Sequence, residues 1–109
     1  MIGIALIIGT VVALSVFWDD FVNFLKNTIN EIKKIVTGII YGTKVFIKNI
    51  GNAIREIARY YYKKNDKWYE KTYTREVSPD EVPPDILKKA KQTENEVDIT
   101  QQLEMQLSN

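Results

Sequence analysis

Histidine and cysteine are both missing from this chain. Without them the usual zinc and iron–sulfur ligand sets cannot be assembled. Nucleophile–base pairs of the Ser–His or Cys–His type are excluded as well. Neither GxxxxGK[ST] nor GxGxxG occurs, so no phosphate-cradling loop is signalled. Two adjacent acidic pairs stand out, Asp19-Asp20 and Asp80-Glu81. The first abuts an apolar segment and the second reads as part of a helix cap, so neither suggests a reaction pocket. The sequence therefore reads as a non-enzyme with no cofactor. The lack of cysteine fits a reducing compartment.

Charge is the next absence. Met1 to Trp18 contains no formally charged side chain, and Asp19 and Asp20 follow directly. A secretory signal would begin with basic residues and end in a small-residue cleavage site; Ser15-Val16-Phe17-Trp18 is a poor one. A helix of this length covers about 27 Å, just enough to cross a bilayer. Trp18 sits where interfacial aromatics belong. The sequence thus predicts a single transmembrane helix over residues 1–20. Lys26, Lys33 and Lys34 follow it, with no Lys or Arg before it. The positive-inside rule then places the protein in the cell membrane, single-pass, with the N-terminus outside and the C-terminus cytoplasmic.

The near-neutral total hides three pieces. Residues 1–20 carry −2, residues 21–76 carry +7, and residues 77–109 carry −4. A basic middle calls for anionic lipid, nucleic acid or the chain's own acidic tail as its partner. With the anchor set aside, the remainder is marginal for a private core, which favours homo-oligomers.

No proline interrupts Phe21 to Lys64. Leu25, Ile29, Ile32, Val36, Ile39, Thr43, Phe46, Ile50, Ala53, Ile57 and Tyr60 follow an unbroken 4-3-4-3 spacing. That pattern predicts one long amphipathic, coiled-coil-like helix over residues 21–64. Gly38 and Gly42 form a GxxxG within it, suited to close helix approach or to a hinge. The uncharged stretch around them is too short for a good second span. On a continuous helix, Ala5, Gly9, Ala13, Asp20, Asn23 and Asn27 share one face opposite the seam. Small residues there would pack near an axis, and the polar ones would ring a watery mouth.

Arg59 to Arg75 interleaves aromatic and basic residues. Arg59, Tyr61, Tyr62, Lys63, Lys64, Lys67, Trp68 and Lys71 are the candidate ligand-binding set, since rings stack on bases while cations meet phosphates. The same mixture suits a lipid interface, or a bundle end with its hydroxyls in water. Asn65-Asp66 looks like a helix stop, and Trp68 to Val77 alternates as a short extended segment within residues 65–77. In the acidic tail, residues 78–109, Ser78-Pro79-Asp80-Glu81 is a cap signature. Pro84 to Lys91 fits a short helix, and Asp98 with Gln101 fits the cap of a last one. Helices this short must dock on something.

The predicted fold class is all-α: a transmembrane helix, a long amphipathic helix, a short extended segment and two or three short C-terminal helices in a homo-oligomeric bundle. The predicted function is a membrane pore or membrane-perturbing effector of defence or toxin type. Its cytoplasmic aromatic-basic region would gate an ion channel by binding an anionic nucleotide or oligonucleotide. The alternative is a non-conducting membrane-anchored scaffold that recruits a cytoplasmic protein. Membrane lipid and further copies of the chain are the other expected partners.

Overall fold

A computed structural model describes residues 8–36 and 39–107, with side chains from Val16 onward. The elements are helix α1 (Ile8–Ile35), strands β1 (Ile40–Asn49), β2 (Ile54–Lys64) and β3 (Lys67–Val77), helix α2 (Pro84–Lys91), the short strand β4 (Val97–Asp98) and helix α3 (Thr100–Leu107). The four strands form one antiparallel sheet in the order β3-β2-β1-β4. The fold is α+β, not all-α, and the long helix expected over 21–64 does not exist.

The seam fails because two periods are superimposed on the same residues. Beside the heptad positions, Val45 and Ile47 are spaced by two between Lys44 and Lys48, and Ile54, Ala58 and Tyr60 fall at even spacings across Arg55 and Arg59. From Ile39 onward the chain is rich in β-branched and aromatic residues, which fit a pleated, half-buried surface better than a helix. The strand period wins because both runs end in turn residues. Gly51 closes the first hairpin with φ 96°, which an L side chain rarely adopts. Its N–H donates to Asn49 Oδ1 at 3.1 Å, and Ile50 N–H donates to the Ala53 carbonyl at 3.1 Å. Asn65 and Asp66, φ 53° and 62°, form a two-residue hairpin turn rather than a helix stop. Both residues tolerate left-handed φ, and the mirror-image turn they make matches strand twist.

All three helices lie on one face of the sheet. Phe17, Phe21, Phe24, Thr28 and Ile32 make the inward stripe of α1 and are buried. They meet Val45, Ile47, Ile54, Ala58 and Tyr60 from the sheet in a cluster completed by Val82, Ile86, Ala90, Ile99 and Leu103 from the tail. In its C-terminal half, α1 is tied to β2 by Tyr60, whose hydroxyl bonds Thr28 Oγ1 and the Leu25 carbonyl. The tail folds as its caps suggest. Ser78 Oγ accepts from Asp80 N–H, and Asp98 Oδ1 accepts from Thr100 N–H at 2.9 Å. In this fold the tail docks on the chain's own core.

The membrane expectation is corrected by the same packing. No helix among the described residues is long and apolar enough to cross a membrane. Trp18 is 5% exposed and packs edge-on against Phe17 at 5.0 Å, so it is a core residue and not an interfacial anchor. From Phe17 to Ile32 the apolar side chains of α1 are buried or half-buried toward the core, while Asp19, Asp20, Lys26, Glu31, Lys33 and Lys34 are exposed. The single-pass topology and the all-α transmembrane bundle therefore do not hold in this fold. Of the face assigned to the pore, Ala5 lies outside the described residues, and Gly9 and Ala13 are described only as helical backbone. Asp20, Asn23 and Asn27 are exposed on the outer side of α1. Gly42 sits at a register shift in β1; a Cβ there would lie 3.8 Å from Tyr61 Cδ2, an ordinary contact, so it allows no unusual approach. Gly38 lies outside the described residues.

Candidate functional site

Strands place side chains on alternate faces, and this sorts the candidate binding residues by position. Tyr62 and Tyr69 are cross-strand partners on the helix-bearing face, stacked at 5.6 Å with an interplanar angle of 16°. Lys71 is on the same face, 5.7 Å from the Tyr73 ring. On the opposite face Lys63 pairs with Trp68 and lies 5.8 Å from its indole. Tyr41, displaced by the β1 register shift, meets Trp68 edge-on at 5.2 Å. Trp68 is 62% exposed and Tyr41 59%. Lys64 and Lys67 stand directly opposite each other beside the turn. Like charges so placed destabilise a hairpin.

The tip of the β2–β3 hairpin therefore gathers Tyr62, Lys63, Lys64, Lys67, Trp68 and Lys71. Tyr61 is half-buried on the open face, against Gly42. Arg59 belongs elsewhere. Its two terminal nitrogens donate to Glu96 Oε1 and Oε2, each at 3.0 Å, its Nε donates to Thr72 Oγ1 at 3.0 Å, and its guanidinium lies 4.8 Å over the Phe46 ring. The bidentate bond holds the Glu96 carboxyl below its ordinary range. Arg59 is a strap joining the tail to the sheet and is already spoken for. Tyr41 and Tyr69 join the tip although sequence reasoning passed them over. The pairing of Tyr69 with Tyr62 is legible once Asn65-Asp66 is read as a two-residue turn; nothing in the sequence marks Tyr41.

A second feature lies at the other end of α1. Glu56 occupies a core position of β2 and is 1% exposed. Arg75, its cross-strand partner, donates from Nε to Glu56 Oε1 at 2.9 Å and also from Nη2. The same guanidinium lies 5.1 Å over the Phe24 ring. Glu56 Oε2 has no hydrogen-bond partner among the described residues. Burial pushes the Glu56 carboxyl up to about 7 despite the Arg75 hydrogen bond and charge, with Asp20 and Glu81 adding to the rise. The group borders a cleft of about 320 Å³ whose walls are Val16, Phe17 and Val77 and whose rim carries Asp20, Asp80 and Glu81. The sequence signal was an acid two residues from Ile54 and Ala58 and four from Tyr60, which marks a charge on a core face.

Among the described residues no three Asp or Glu side chains are grouped as a metal ion would need. No family model, no curated protein and no solved structure matches this chain.

Proposed function

We propose that this chain is a binding module whose β2–β3 hairpin grips single-stranded nucleic acid. The observation that carries the reading is the tip itself, with exposed rings and four lysines on both faces of one hairpin. Bases stack on exposed aromatic rings whatever their identity, and phosphates meet lysines. A lipid surface engages a single plane and favours cations segregated from apolar groups. Here tyrosines and lysines interleave and face both ways, which suits a flexible strand wrapping the tip. The opposed Lys64 and Lys67 add to this, since a phosphate between them would relieve their repulsion.

The chain has two tryptophans, and Trp18 is buried, so a change in emission on adding ligand reports on Trp68 at the tip. Titration with oligothymidylate should quench it, with affinity falling steeply as salt rises. Lys64→Ala and Lys67→Ala should each flatten the log–log salt slope by about 0.7. Trp68→Ala should weaken binding by about 1–3 kcal/mol, read by the fluorescence anisotropy of a dye-labelled oligothymidylate. Unchanged emission with oligonucleotide, or a response to anionic vesicles alone, would overturn the reading.

A further inference from the structure

We infer that the cleft around Glu56 is a binding site for a small organic ammonium ion, one carrying a protonated amine on a compact apolar body. The argument is independent of the hairpin and concerns the opposite end of the molecule. It begins with the unpartnered oxygen. Glu56 Oε1 takes both bonds from Arg75, while Glu56 is one of the residues lining the cleft and its buried Oε2 has no donor among the described residues. A buried acceptor left unmade is costly, so what belongs there is a group that donates.

The surroundings give the sign of that group. Glu56, Asp20, Asp80 and Glu81 face one guanidinium, Arg75, which Glu56 already engages. Asp20, Asp80 and Glu81 form no ion pair among the described residues, whereas other carboxylates in the fold, Glu70, Glu76 and Glu96, are paired with arginines. The field in the cleft is negative, and a cation is what it favours. A bare divalent ion is disfavoured because the carboxylates do not converge as its ligand shell requires. An ammonium needs only acceptors in hydrogen-bond range and tolerates their spread. Val16, Phe17 and Val77 supply the apolar wall against which its carbon body would rest.

Binding is coupled to the Glu56 proton. The groups facing it are Arg75 from β3, Asp20 from α1 and Glu81 from the turn after β3. A cation at Oε2 favours the ionised carboxyl, so the neutral acid must release its proton when the ligand enters. Affinity should therefore increase with pH through about 7, while a primary amine stays protonated.

The test uses the full chain, with benzylammonium as the probe and benzyl alcohol as its uncharged counterpart, followed by amide chemical shifts. Benzylammonium should shift the amides of Val16, Arg75 and Val77 saturably, and bind at least about tenfold more tightly than the alcohol. Between about pH 6 and about pH 8 its affinity should rise severalfold. Glu56→Gln should remove most of the preference for the cation. Asp20→Asn and Asp80→Asn alter exposed side chains without a folding cost, and each should weaken the amine while leaving the alcohol unchanged. Equal binding of amine and alcohol, shifts absent at millimolar probe, or full displacement by calcium at constant ionic strength would each overturn the proposal. Should Glu56→Gln fail to fold, the two aspartate variants decide the question.

Discussion

Glu56 is the residue at which burial and charge compete most directly. In the unfolded chain its carboxyl ionises near 4.5, and in the fold not until about 7. Between those values the native state holds a proton that the unfolded state has lost, so stability from this group is full at the acid end and declines as pH rises. Replacing Glu56 by glutamine should flatten a fall in melting temperature between about pH 4.5 and about pH 7, a difference worth up to about 3 kcal/mol. Calorimetric scans of the two proteins across that range measure it. Tyr60 offers a simpler case. Its hydroxyl links α1 to β2 through Thr28 and the Leu25 carbonyl, inside the core. Tyr60→Phe leaves the ring in place and Thr28 still bonded to the Phe24 carbonyl, so urea unfolding should show a loss of about 1–2 kcal/mol.

At the scale of elements, the β2–β3 turn decides the topology. Asp66 sits at φ 62°, where a β-branched side chain is strained. Asp66→Val should cost about 1–2 kcal/mol in denaturant unfolding, whereas Asp66→Gly should be tolerated. This turn also explains how legible the fold was. The tail helices, with Ser78, Pro84 and Asp98 as local markers, could be read from sequence because caps act over a few residues. So could the alternation from Trp68 to Val77. The middle could not, because Ile, Val, Phe and Tyr from Ile39 to Tyr62 satisfy a heptad and an alternating pattern at once, and only Gly51 and Asn65-Asp66 break the tie. The basic–aromatic character of the hairpin tip was visible without the fold. Which face each ring occupies, and the loss of Arg59 to Glu96, depended on strand register. The Glu56 cleft was hidden because it joins three segments distant in sequence.

On the scale of the whole molecule, charge is separated along the axis of α1. Lys33, Lys34, Lys63, Lys64, Lys67 and Lys71 outnumber Glu31, Asp66 and Glu70 at the hairpin end, while Asp19, Asp20, Glu56, Asp80 and Glu81 outnumber Arg75 at the other. Such an arrangement favours head-to-tail encounters between copies at low salt, screened beyond a Debye length of about 8 Å at physiological ionic strength. Sedimentation should show concentration-dependent association in dilute buffer that vanishes on adding salt; a species indifferent to salt would point to apolar contacts instead.

The shared cluster of Trp18 with Leu103 has a consequence for biosynthesis. During translation the greasy stripe of Phe17, Phe21 and Phe24 leaves the ribosome before the strands that will cover it, and one corner stays bare until α3 emerges. The stripe cannot be fully covered until nearly the whole chain has been made.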